Sequence, residues 1–253
     1  MTKSFDAQDY LARRERNEGR LGAAGVYSPD MEHDACGVGF VAARDGQPNR
    51  AVVESAIEAL QAIWHRGAVD ADGMTGDGAG IHIEIPRDFF IEHIARTGHD
   101  DDGGRLAVGM VFLPRTDLAA QERCRCIVEE EILAFGHFIY GWRQVPVDTS
   151  ALGQKAIATR PEIEQIMFSM PTDMSEEDAE RQLYLVRRRI EKAVIQDLIS
   201  DFYICSLSTR SIIYKGMFLA EQVTEFYPDL LDERFESRFA IYHQRYSTNT
   251  FPT

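Results

Sequence analysis

The sequence predicts a globular domain of two β-sheets with helices over their outer faces, preceded by a short leader of different character. Three observations predict it. Strand-like and helix-like segments alternate from residue 36 onward, mostly as pairs. The strand-like segments are numerous enough for two sheets, and the helices between them can cover both. Residues 1–35, by contrast, are charge-rich, with LARRERNEGR in one block, and offer little to a core.

Composition narrows the function. With 253 residues and 44% apolar content, the chain can bury one substantial core, with or without a loosely attached leader. Its 27 basic residues face 41 acidic ones, a formal charge of -14, so the surface repels nucleic acid and anionic lipid. No apolar run approaches the roughly 20 residues that cross a bilayer. Residues 1–35 also lack the apolar stretch of a secretory signal, so a cytoplasmic protein with neither membrane nor nucleic-acid partner is expected. A domain of this size has no need of disulfide staples, so Cys36, Cys124, Cys126 and Cys205 read as thiols. Cys124 and Cys126 are one residue apart in a helical stretch with no second pair, so no metal site is expected.

The elements follow in order. The leader, residues 1–35, reads as a short helix and a linker that contains the small-residue stretch Leu21 to Gly25 and Pro29. CGVGFVAA from Cys36 suggests a buried strand, closed by Asp45-Gly46. Val53, Ile57, Leu60, Ile63 and Trp64 fall at helical spacing, so residues 50–64 should pack one helix face on that strand. HRGAVDADGMTGDGAG is a long Gly/Asp loop suited to bordering a site. A strand through Ile81, Ile83 and Ile85, a helix opened by Pro86 and a strand at LAVGMVFLP come next. Asp117 to Phe135 has the period of a long helix, and HFIYGWRQVPV reads as the strand after it. Ser175 and Asp178 resemble a capping box opening a short charged helix, and LYLVRRRIEKAV is ambiguous between strand and helix. FYICSLS and RSIIYKG read as a hairpin, and RFAIYHQRYS as a further strand. The abrupt stop after it, at Asn249 to Thr253, looks like a truncation.

Chemistry has few candidate carriers. Cleavage after Ala35 would place an α-amine beside the Cys36 sulfur. An amine of ordinary pKa near 7.7 to 8.0 could take the thiol proton. On local sequence alone a small buried cysteine in a Gly-rich strand is the commoner explanation. Arg66 and Arg245 carry guanidinium forks that fit a carboxylate, though for either one alone an ordinary ion pair is commoner. Thr248 and Asn249 could hydrogen-bond a substrate or merely end a strand. His65, His82 and His243 lack metal-ligand spacing. Gly76-Asp77-Gly78-Ala79-Gly80 lacks a Lys and leads into a strand, the reverse of a phosphate-binding loop.

Three segments taken together change the balance. CGVGF at 36–40, WHRGAVDADGMTGDGAGI at 64–81 and YHQRYSTNTFPT at 242–253 resemble the class II glutamine amidotransferase domain of glutamate synthases. The likeness runs through RCRCIVE, YGWRQVP, RRRIEKA and PDLLDERFES. The resemblance implies a four-layer αββα sandwich of two mainly antiparallel sheets, the N-terminal-nucleophile hydrolase fold, here C-terminally incomplete. It implies that leader 1–35 is removed and that 36–253 is the amidotransferase domain. Cys36 would then attack the side-chain amide of L-glutamine, release ammonia and pass through a glutamyl thioester. Arg245 would hold the substrate α-carboxylate, Thr248 would hydrogen-bond the substrate, and Arg66 would stand near the nucleophile.

The same resemblance implies that this segment carries no cofactor. FMN and an iron-sulfur cluster belong to a synthase region of the longer chain, and an NADPH-oxidising flavoprotein small subunit is the partner. The family's oxyanion donors fall past Thr253, and losing one such donor costs roughly 10² to 10³ in rate, so the segment alone is expected to be nearly inactive. Two alternatives stand beside this reading: a class II amidotransferase with another ammonia acceptor, and a truncated domain without catalysis.

Overall fold

The computed structural model describes residues 7–23 and 37–244. The chain divides into two units, residues 1–35 and 36–253. In the first, helix α1 (Ala7–Ala23) is strongly polar, and its Leu11 is exposed.

The second unit holds two four-stranded antiparallel sheets. The first has the order β1 (Gly37–Ala42), β8 (Phe239–Gln244), β2 (Ala79–Glu84), β7 (Ser211–Gly216). The second has the order β4 (Phe138–Gln144), β5 (Glu162–Met170), β3 (Arg105–Leu113), β6 (Tyr203–Ser208). Helix α2 (Arg50–Ala62) lies on β1 and β8; α4 (Leu118–Ala134) and α6 (Glu176–Gln196) pack together on the second sheet. Helix α3 (Arg87–Arg96) and the short α5 (Gln154–Thr159) and α7 (Val223–Phe226) fill the connections. This is the two-sheet α+β architecture that the sequence predicts.

Local chemistry sets the helix starts. Asn49 accepts from the Val52 amide, Asp117 from Ala120 and Ser175 from Asp178, each satisfying a free amide of a first turn. In α2, Val52, Val53, Ala56, Ile57 and Leu60 form the buried stripe. The helix ends sooner than its period suggests: Trp64, 62% exposed, belongs to a separate 3-10 turn, Trp64–Arg66.

Alternation divides the second sheet between two cores. Leu106, Val108 and Met110 of β3, with Ile163 and Met167 of β5, join the core that includes α2, β2 and β7. Ala107, Val111 and Leu113, with Ile166, Phe168 and Met170, join the core under α4 and α6. Strands buried on both faces read as nearly continuous apolar runs, and β3 does. The equally central β5 has no counterpart in the sequence reading, because Glu162, Glu164 and Gln165 interrupt its apolar character.

Three other expectations are corrected. The strand at CGVGFVAA is an edge strand, and Val38 and Phe40 are 56% and 66% exposed on the face turned away from α2. FYICSLS and RSIIYKG are consecutive strands but not a paired hairpin: β6 joins β3 and β7 joins β2, so the turn at Thr209 carries the chain from one sheet to the other. Glu180 secures this corner by accepting from Ser208 Oγ, Thr209 N and Thr209 Oγ1. The charged helix opened by Ser175 is not short: it continues through LYLVRRRIEKAV as α6, because Ala179, Leu183, Val186, Ile190 and Val194 sustain one buried stripe.

A polar network lies between the sheets. Arg143 of β4 donates to both carboxylate oxygens of Asp229 at 2.7 Å and to Gln165 Oε1 at 2.8 Å. Gln165 Nε2 donates to the Tyr214 hydroxyl at 3.0 Å, which in turn donates to Asp229 at 3.1 Å. Arg143 and Asp229 are almost fully buried, so each charge depends on the other. Asp229→Ala should therefore lower the unfolding free energy by about 3–5 kcal/mol in a urea titration, because Arg143 is left buried and unpaired. Arg143→Met combined with Asp229→Leu should recover more than half of that loss.

Candidate active site

Three chain segments meet at one end of the first sheet. β1 opens at Gly37, β2 opens at Ala79 and β8 closes at Gln244. The register places Gly37 opposite Gln244 on one side and Ala79 opposite it on the other. The turn after α2 completes the junction: a Cβ on Gly67 would stand 2.0 Å from Gln244 Nε2. Any larger residue there would require the Gln244 carboxamide to shift. GVGF at 37–40, the HRG-to-GAGI stretch and YHQ at 242–244 are distant in sequence and adjacent in space.

Cys36 precedes Gly37 by one residue and Arg245 follows Gln244 by one. Cys36, Arg245 and Thr248 lie outside the described residues, as does the side chain of Arg66, whose backbone ends the 3-10 turn. What the fold brings together is therefore the strand ends and the turn that carry Cys36, Arg245 and Arg66.

The Gly/Asp stretch is an ordered hairpin-like loop. Ala68 and Asp77 exchange hydrogen bonds, Val69 and Gly76 form a bridge, and the Asp70 amide donates to Thr75 O. At the tip, Asp72 accepts from Thr75 N (2.7 Å), Thr75 Oγ1 (2.6 Å) and Met74 N (3.0 Å), while Gly73 takes the left-handed conformation. These bonds, Thr75's hydroxyl first, hold the Asp72 carboxyl well below the usual range. Lys155 bonds Asp70, and Gly153 leaves room for Thr75: a Cβ there would meet Thr75 Oγ1 at 2.2 Å. Gly76 is pressed as closely against the Phe218 backbone.

The remaining candidates are structural. His82 packs edge-on to Phe239 with ring centroids 5.9 Å apart, and burial lowers its pKa. His65 is exposed beside Trp64. Burial pushes the Cys124 thiol up to about 11 and the Cys205 thiol up to about 12, so neither is a ready nucleophile. Among the described residues no cluster of His, Cys, Asp and Glu could hold a metal ion. A surface cleft of about 560 Å³, lined by Pro114, Asp117, Arg123 and residues 197–201, contains none of the predicted site residues.

Sequence reasoning passed over Gln244, although a signal was available. Strand alternation places it in phase with Ala240 and Tyr242, which face the core, and a polar residue in that phase calls for a reason.

Two antiparallel sheets packed with helices are the architecture of the N-terminal-nucleophile hydrolase fold that the resemblance implies. Residues 36–253 match the family model of the class II glutamine amidotransferases, and the chain belongs to that family. It is 64% identical over 252 residues to the glutamate synthase [NADPH] large chain of Azospirillum brasilense, covering all of this chain and 17% of that protein. It is 44% identical over 222 residues to ferredoxin-dependent glutamate synthase 2 of a Synechocystis strain, covering 87% of this chain and 14% of the relative. Identity to the chloroplastic ferredoxin-dependent enzyme of Spinacia oleracea is 42% over 223 residues, with the same coverage of 87% and 14%. The chain thus spans 14–17% of the length of these relatives.

The Asp72 bonds make a pH prediction. Its folded pKa lies below the ordinary 3.8, so its contribution to stability is complete above that value and lost as pH falls through the folded one. In urea titrations, the difference between the wild-type chain and Asp72→Ala should be constant above about pH 5 and shrink steadily towards about pH 2.

Proposed function

We propose that this chain is the glutaminase segment of a glutamate synthase large chain, with Cys36 as its nucleophile once residues 1–35 are removed. The observation that carries the reading is the register that joins the opening of β1 to the close of β8 beside the Gly67 turn, because it gathers the strand ends and the turn that carry the three resembling segments. The family match beginning at residue 36 supports the cut after Ala35.

In this mechanism the α-amine freed at Cys36 takes the thiol proton, and the sulfur attacks the side-chain carbonyl carbon of L-glutamine. Ammonia leaves with that proton, the C–N bond breaks, and a glutamyl thioester remains. Water hydrolyses the thioester, giving glutamate and the free thiol. Arg245 pairs with the substrate α-carboxylate through its planar fork, Thr248 hydrogen-bonds the substrate, and Arg66 lines the nucleophile's surroundings. The ammonia is consumed elsewhere in the longer protein, where FMN and an iron-sulfur cluster support reduction of 2-oxoglutarate and ammonia to glutamate.

Electrons come from NADPH through a flavoprotein small subunit. Identity is higher, and extends over residues 1–35, with the relative named for NADPH; it is 39–44% with relatives named for ferredoxin. The cytoplasm suits the acidic surface and the free thiols, and no helix among the described residues is long and apolar enough to cross a membrane.

Cys36→Ala in the full-length protein should abolish glutamine-dependent glutamate formation while leaving ammonia-dependent formation near wild type. Retention of glutamine-dependent activity by that variant would overturn the assignment.

A further inference from the structure

Gln244 is fully buried, and neither atom of its carboxamide has a hydrogen-bond partner. The other buried glutamines among the described residues differ. Gln165 bonds Arg143 and Tyr214, Gln121 bonds Pro114 O and Arg125, and Gln222 bonds Ala151 O and the Leu219 amide. A buried amide with both ends unmet bears the full desolvation cost of two groups, and an apolar side chain of the same length would bear none. The chain nevertheless shapes its surroundings around this amide. Its cross-strand neighbours are Gly37 and Ala79, and the turn above it comes within reach only because residue 67 has no Cβ.

An unmet polar group enclosed by small residues where the three site segments join is a cost to the fold with no structural return. Such costs concentrate where a site needs the group in another state. We propose that Gln244 is a positioning residue of the glutaminase site: with L-glutamine bound, its carboxamide hydrogen-bonds the backbone of the Trp64–Gly67 turn and fixes that turn against the opening of β1. The inference rests on the glutaminase reading given above. Gln244 acts through the turn and does not touch the reacting atoms. A turn held loosely misplaces the groups it carries, and a displacement of about 1 Å can cost on the order of 10²-fold in rate.

The test is Gln244→Met in the full-length protein, which keeps the length of the side chain and removes the amide. Positioning predicts an unchanged or higher melting temperature, ammonia-dependent synthesis at the wild-type level, and a loss of about tenfold or more in glutamine-dependent kcat/KM. Gln244→Asn, which keeps the amide on a shorter arm, should fold as well and lose less. Wild-type glutamine kinetics in Gln244→Met would overturn the proposal. So would a parallel fall in melting temperature and both activities in the two variants, since that marks a structural role alone. Glutamine-dependent activity that survives Cys36→Ala would instead overturn the glutaminase reading, so the two failures are separable.

Discussion

The insertion of β8 between β1 and β2 is the contact on which the site depends. Among the described residues β1 has no other strand partner, so without Phe239–Gln244 the opening strand has nothing to hold its register. Gly37 and Gln244 are separated by on the order of 200 residues, and closing a loop of that length is entropically unfavourable until the intervening chain has folded. The apolar face shared by Val41, Ala240, Tyr242, Ile81 and Ile83 offsets that cost by packing with α2. Register then becomes a chemical matter. A slip of one residue would turn Gln244 to the opposite face and separate the segments next to Cys36 and Arg245.

Two buried polar arrangements illustrate different uses of the same chemistry. Arg143, Asp229, Gln165 and Tyr214 hydrogen-bond one another, with only the Arg143 Nε left unmet, and tie β4, β5, β7 and the 228–231 turn into one unit. Their value is to the fold, where each removal exposes a partner to an unmet burial cost. Gln244 sits at the end of the first sheet where β1 opens, with its amide unmatched, and the role proposed for it is in the glutaminase site rather than in the fold. The loop at residues 68–77 stands between these extremes. It is exposed at its tip, yet Asp72 and Thr75 order it, and glycines at 76 and 153 let it seat against neighbouring backbone.

Much of this was legible in the sequence. The helix start at Ser175 follows from a side chain that can accept an amide proton, helices α2 and α4 from their apolar period, and strand β3 from its apolar run. The loop at HRGAVDADGMTGDGAG is legible from its glycines. The failures share a cause: they are properties of neighbours distant in sequence. Exposure of Val38 and Phe40 depends on β1 lying at an edge, and the parting of β6 from β7 depends on which sheet claims each strand. β5 was hidden because Glu164 is buried only by virtue of Arg125 on α4, a partner that no local pattern announces. At the site, local sequence offered Cys36, Arg66, Arg245 and Thr248 as candidates without linking them. The pairing of Gln244 with Gly37, and its closeness to Gly67, link the segments next to Cys36, Arg245 and Arg66.

The proposed chemistry resides on a cysteine made N-terminal at the start of β1. Mass analysis of the N-terminal peptide of the full-length protein, after reaction with a glutamine analogue bearing an electrophilic carbon, tests it most directly. The expected result is a peptide that begins at Cys36 and carries one adduct on its sulfur. A peptide beginning at Met1 with Cys36 unmodified, or an adduct found instead on Cys124, Cys126 or Cys205, would contradict it.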